Sequence, residues 1–197
     1  MRFKLGLTGS IGMGKSTTAQ MFAEAGCAVW DADAAVHRLY GPGGAAVAAI
    51  GQEFPQAIEN GQVSRDALRA IIANDATALK RIEEIVHPLV QEDREEFIAA
   101  HPQAIGVFDI PLLFETGGDA QMDATACVNV SRETQEARVL ARDTMTGDDL
   151  ARILARQMPN AEKCARATYV IETDTLEHAR AHVQDVLKDI EQRLQHA

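Results

Sequence analysis

Positive charge is scarce in this chain: 19 lysines and arginines stand against 29 aspartates and glutamates, for a net charge of −10. A general nucleic-acid binder carries a basic face, and this balance speaks against one. A small polyanion held by a few local arginines stays compatible with it. Long apolar runs are missing too. None approaches the ~18 residues that cross a bilayer, so no membrane partner is expected. The N-terminus opens directly on a strand-like run, which leaves no room for a signal peptide and makes a cytoplasmic protein the expectation. Cysteine is sparse and odd in number: Cys27, Cys127 and Cys164 lie far apart in sequence, without metal-ligand spacing. They read as reduced, structural thiols. No repeat or low-complexity tract interrupts the 197 residues, a length that fits one compact α/β domain with inserted segments.

What the chain does have is a glycine loop in a telling context. Gly9-Ser10-Ile11-Gly12-Met13-Gly14-Lys15-Ser16 spell G-x-x-x-x-G-K-S between an apolar run at Phe3–Leu7 and a helical pattern at Thr17–Ala25. Strand, glycine loop and helix together make a phosphate-binding loop. Glycines let the backbone turn tightly and aim its N–H groups at a phosphate, while the helix N-terminus adds partial positive charge. The loop is therefore expected to bind a nucleoside triphosphate. Lys15 is placed to reach the β/γ-phosphates, and the Ser16 hydroxyl to ligate Mg²⁺.

Four further short apolar runs read as strands: Ala28–Trp30, Ile105–Phe108, Ala126–Val130 and Tyr169–Ile171. Lacking alternation and separated by helical patterns, they suit a five-stranded parallel sheet covered on both faces. Gly41-Pro42-Gly43-Gly44 ends a helix that begins near Ala34. From about 41 to 100 a helical insertion follows, with Ser64 as an N-cap and with His87-Pro88 as an interruption. An insertion of this length exceeds what a crossover needs and suits a second substrate. Residues 132–166 carry Arg138, Arg142, Arg152 and Arg156 in two i,i+4 pairs around Thr144-Met145-Thr146-Gly147, the pattern of a lid. A solvated charged face, balanced by nearby carboxylates, competes for some of the four. The nucleotide core takes the remainder, about 1–40, 101–131 and 167–197, and its last helix from Leu176 carries a packing stripe.

Carboxylates sit at strand ends, where parallel sheets place their functional loops. Asp31 and Asp33 follow the second strand, and in an extended segment their side chains point to opposite faces. One carboxylate suffices to accept a proton from an attacking hydroxyl, so Asp33 takes the chemistry and Asp31 the capping of the next helix. Asp109 ends the third strand as a weak Walker-B-like signal. Pro111-Leu112-Leu113-Phe114 follows, either an apolar substrate surface or a loop tucked into the core. His87 reads as a phosphate contact or as a structural histidine.

These segments come in the order found in dephospho-CoA kinases, which the chain resembles over essentially its whole length. The resemblance rests on Thr8–Thr17, Asp31-Ala32-Asp33, His87-Pro88, Asp109–Glu115, and Arg152-Ile153 with Gln157. It implies a P-loop NTPase three-layer α/β/α fold with a CoA-binding helical insertion and a helical lid. It also implies transfer of the ATP γ-phosphate to the ribose 3′-hydroxyl of dephospho-CoA. Gly12, Met13, Gly14, Lys15, Ser16 and Thr17 would hold ATP. Asp33, Lys15 and Arg142 would be catalytic, with Arg142 the lid arginine. Thr8, Asp33, Arg65, His87, Pro111, Leu112 and Leu113 would serve the acceptor. Thr173 departs from the asparagine common in that family, and Arg156 from a small residue. The rival readings are another small P-loop kinase, whose acceptor pocket would read polar edges, and a GTPase switch. The latter needs N-K-x-D, whereas Asn129-Val130-Ser131-Arg132 lacks it. Partners are the small-molecule substrates alone, with a monomer expected and an oligomer left open.

Overall fold

The computed structural model describes residues 1–141, 145–155 and 157–196. The chain runs β1 (Phe3–Thr8), α1 (Lys15–Glu24) and β2 (Ala28–Asp31), then α2 (Ala32–Tyr40) and α3 (Ala45–Glu53). A hairpin of β3 (Ile58–Glu59) and β4 (Gln62–Val63) precedes α4 (Arg65–Asn74) and α5 (Ala78–Ala100). It returns through β5 (Ile105–Asp109), β6 (Ala124–Asn129), α6 (Arg132–Leu140) and α7 (Gly147–Leu154), and closes with α8 (Asn160–Arg166), β7 (Tyr169–Glu172) and α9 (Leu176–Gln195).

Two compact units result, one of residues 1–30 and 101–197, the other of residues 31–100. In the first, a five-stranded sheet has the order β2-β5-β1-β6-β7. Its parallel register pairs Leu7 with Asp109 and Thr8 with Cys127, so the ends of β1, β5 and β6 lie side by side. All five strands stand where the apolar runs predict them. Leu5, Leu7, Phe22, Val128, Ile171 and Ile190 are fully buried in one cluster with α1 and α9. Each such side chain contributes on the order of 1.5–3 kcal/mol by leaving water. Thr175 caps α9 by accepting from the His178 N–H at 3.1 Å.

The second unit has its own core of Leu39, Ile50, Phe54, Val63, Leu68, Ile82 and Val86. Its boundary falls at Asp31 rather than near 41, because α2 turns Leu39 into this cluster. Ser64 caps α4 as expected, accepting from the Ala67 N–H at 3.3 Å. Pro88 does not interrupt α5, which runs unbroken for 23 residues. A proline in a helix removes one backbone bond and crowds the preceding turn, costing about 3 kcal/mol. Here Pro88 is exposed while Ile82 and Val86 stay buried, and the apolar stripe holds the helix through it. The β3–β4 hairpin lies within a stretch the sequence pattern presents as helical. Asn60 and Gly61 form its turn at φ 51° and 75°, the left-handed pair that a tight two-residue hairpin needs.

Candidate active site

Between β1 and α1 the glycine loop curls around an open helix end. Gly14 stands before α1 at φ 93°, and no side chain caps that helix. A Cβ at Gly14 would fall 2.9 Å from the Thr173 hydroxyl, so both its dihedral and its close approach require glycine. An uncapped N-terminus leaves first-turn N–H groups and the positive end of the helix dipole for an anion. Ser16 and Thr17 are exposed there. Met13 buries its side chain in the core, and its N–H donates to the Ser10 carbonyl at 3.2 Å within the loop. Lys15 reaches back to the end of β5, where its ammonium pairs with the buried carboxylate of Asp109. The Asp109 side chain is only 2% exposed, and the Lys15 ammonium supplies compensating charge for it.

Three side chains from distant segments fix the loop's shape. The Ser10 N–H donates to Asn160 Oδ1 at 3.0 Å, Gln135 Nε2 donates to the Ile11 carbonyl at 2.7 Å, and the Thr173 hydroxyl donates to the Met13 carbonyl at 2.6 Å. Thr173 thus supports the loop from below. Arg138 donates to the Thr173 carbonyl at 2.6 Å. With Gly12, Gly14, Thr17, Thr173 and Leu176 it lines a cleft of about 300 Å³ beside the phosphate loop. In the sequence Arg138 stands only as one of four candidate lid arginines. No local pattern signals this cleft, whose walls come together from segments more than a hundred residues apart.

The loop after β5 resolves the two alternatives by splitting them. Leu112 is 41% exposed and Pro111 half-buried, whereas Leu113 and Phe114 belong to the interior. Leu113 presses on Gly6 of β1, where a Cβ would meet its Cδ2 at 2.7 Å. Thr8 is fully buried, and its hydroxyl donates to the Pro111 carbonyl at 3.1 Å. The same carbonyl accepts from Lys163 Nζ at 2.8 Å, and Lys163 also pairs with Glu115 Oε1 at 2.8 Å. Burial works to raise the Glu115 carboxyl, but the Lys163 ammonium and the Met158 N–H outweigh it and hold it below the usual carboxylate range.

In the second unit, the structure bears out the capping expected of Asp31 and places Asp33 beside it. Asp31 caps α2, accepting from the Ala34 N–H at 2.9 Å, while Asp33 is exposed in the first turn. Arg65 is exposed with its guanidinium 5.8 Å from the Tyr40 ring centre, and His87 is exposed on α5. A shallow cleft of about 500 Å³ opens between α3, α4 and the start of α5, where Arg81 lies 4.9 Å from the Phe54 ring and pairs with Glu53 and Asp75.

Among the lid arginines, Arg152 forms an exposed pair with Asp149 at 2.5 Å, the solvated reading. Arg142, expected to be catalytic, lies outside the described residues, as does Arg156. α7 begins with a reciprocal cap between Thr146 and Asp149. The cysteines are free, although the fold brings Cys127 and Cys164 to 3.4 Å from each other. Burial first, and then the neighbouring Cys164 sulfur, push the Cys127 thiol far above its ordinary value, which makes it a poor nucleophile.

Residues 3–178 match the family model described as dephospho-CoA kinase. A relative named dephospho-CoA kinase from Ruegeria pomeroyi is 64% identical over 190 residues, covering 96% of this chain and 96% of its own. Another from Jannaschia sp. is 58% identical over 191 residues, covering 96% and 98%. The crystal structure of TT1252 from Thermus thermophilus superposes with a TM-score of 0.84 at 31% identity, over 98% of this chain and 97% of that one. A dephospho-CoA kinase from Campylobacter jejuni gives 0.70 at 22% identity over 95% and 96%, which shows the shared P-loop α/β/α fold.

Proposed function

This chain belongs to the dephospho-CoA kinase family, and we propose that its phosphate loop, Asp33 and the Pro111–Leu113 loop divide the work of the reaction. The protein phosphorylates dephospho-CoA with ATP to give coenzyme A. The observation that carries the division of roles is the uncapped start of α1 at Gly14, with Lys15 held beside it on buried Asp109.

ATP lays its β- and γ-phosphates against the N–H groups of Gly12 through Thr17. Lys15 then exchanges its carboxylate partner for phosphate oxygens, adding charge where it develops in transfer. The cleft beside Arg138 takes the nucleoside end. The acceptor's ribose 3′-oxygen attacks the γ-phosphorus, the bond to the bridging oxygen breaks, and ADP leaves. Asp33 accepts the hydroxyl proton; its place just past a parallel strand end supports this role. Arg65, His87, Pro111 and Leu112 contact the acceptor, while Thr8 and Leu113 support that loop from within. Arg142 is assigned to the transferring phosphate.

The exposed Ser16 hydroxyl fits magnesium, because this cation keeps waters and phosphate oxygens and needs few protein ligands. Among the described residues no group of three His, Cys, Asp or Glu side chains could hold a metal ion by itself, and a site shared with ATP needs none. Held by Ser16 and the triphosphate, magnesium would supply positive charge against the phosphates. No nucleic acid or membrane enters this reading. None of the described helices is long and apolar enough to cross a bilayer.

Incubation of the purified protein with ATP, magnesium and dephospho-CoA tests the assignment. The expected product is coenzyme A, identified by mass, with the new phosphate located on the ribose 3′-oxygen by phosphorus–proton coupling. ATP hydrolysis with unchanged dephospho-CoA would contradict it.

A further inference from the structure

The short helix α8 carries a lysine that the reaction does not call for. Lys163 has no exposed surface, an uncommon place for an ammonium, which is rarely buried unless its donors are used. Its donors go to the Pro111 carbonyl and to Glu115, so both partners lie on the loop assigned to the acceptor. Glu115 Oε1 also accepts the Met158 N–H at 2.9 Å, which ties the segment entering α8 to the same loop. One helical step earlier, Asn160 reaches the other way. Its Oδ1 accepts the Ser10 N–H of the phosphate loop, and its Nδ2 donates to the Val128 carbonyl of β6 at 3.1 Å.

One helix therefore holds the two loops that must present donor and acceptor to each other. We propose that α8 is a brace, with Lys163 the positioning residue for the acceptor loop and Asn160 the positioning residue for the phosphate loop. The inference rests on the kinase reading above and goes beyond it, because neither side chain touches the reacting atoms. A misplacement of about 1 Å costs on the order of 10²-fold in a reaction that depends on alignment, so a buried brace has a function to serve. A lysine suits this place better than an apolar residue. Pro111 and Glu115 are four residues apart, and a single ammonium with three donors can bond to both at once.

The experiment measures KM for each substrate in Lys163→Met and Asn160→Ala. Lys163→Met is expected to raise KM for dephospho-CoA about tenfold and leave KM for ATP within twofold. Asn160→Ala is expected to do the reverse. Removing Lys163 alone leaves the half-buried Glu115 carboxylate without its ammonium partner and risks the fold. The double variant Lys163→Met, Glu115→Gln removes both charges and the Lys163 bond to the Pro111 carbonyl, which keeps its bond from Thr8, and is expected to show the same split. Circular dichroism and thermal melting establish that each variant is folded. Equal increases in both KM values, or none in either, in folded protein would overturn the brace while leaving the kinase assignment intact. Failure of the unaltered protein to turn over dephospho-CoA in the same assay would overturn the kinase reading and the brace together.

Discussion

The sheet-bearing unit and the helical unit differ in where their sequence carries information. In residues 1–30 and 101–197 the informative positions are those where backbone must do something unusual. Gly14 holds φ 93° against the Thr173 hydroxyl, and α1 starts without a cap. In residues 31–100 the backbone is mostly ordinary helix, apart from left-handed turn positions at Gly43 and Asn60-Gly61, and α5 runs unbroken through a proline. Its charges pair on the surface, as Arg38 does with Asp93 at 2.7 Å and Arg81 with Glu53 at 2.6 Å. A phosphate site has to be built from strained, specific geometry, which leaves a motif. A helical scaffold is built from distributed apolar burial, which leaves only a pattern.

Substitutions in the two units should break in different ways. Lys15→Ala is expected to reduce turnover by at least about 10²-fold, since it removes a charge that stabilises the transferring phosphate, and to lower the melting temperature, since it takes the ammonium away from the buried Asp109 carboxylate. Steady-state kinetics alongside a melting curve checks both halves. Ile50→Ala, in the core of the helical unit, should cost about 2–5 kcal/mol of stability by leaving a cavity, read as a lower urea midpoint. At low temperature its turnover should stay close to normal; a collapse of kcat without loss of stability would show that this core shapes the chemistry directly. Arg138→Ala is expected to raise KM for ATP about tenfold, equivalent to about 1.4 kcal/mol, with KM for dephospho-CoA unchanged. Asp93→Asn, which breaks a partly exposed ion pair, should change stability by less than about 1 kcal/mol in chemical denaturation.

How much was legible follows the same division. The strands and the phosphate loop could be read because short apolar runs and glycines report directly on local conformation. Asp31 as a cap could be read from its place before a helix. The hairpin at Ile58–Val63 had a signal in Asn60-Gly61, but two-residue strands are too short to show alternation. Thr173 and Arg138 could not be placed, since what each does depends on a partner far along the chain. The same holds for Lys163, which reads as one more solvent-facing lysine until the fold closes over it. The split between Leu112 and Leu113 was invisible because the two residues are chemically identical, and only the packing against Gly6 tells them apart.

The role of receiving the acceptor's proton is assigned to Asp33 and not to its neighbour two residues before. Measuring kcat for Asp33→Asn and Asp31→Asn, with ATP affinity determined separately, tests it most directly. A general base contributes roughly 10²–10⁴-fold in rate, or about 3–5 kcal/mol of barrier. Asp33→Asn should lose activity on that scale while binding ATP almost normally. Asp31→Asn should be far milder, because asparagine still caps α2. An inactive Asp31→Asn beside a fully active Asp33→Asn would contradict the account.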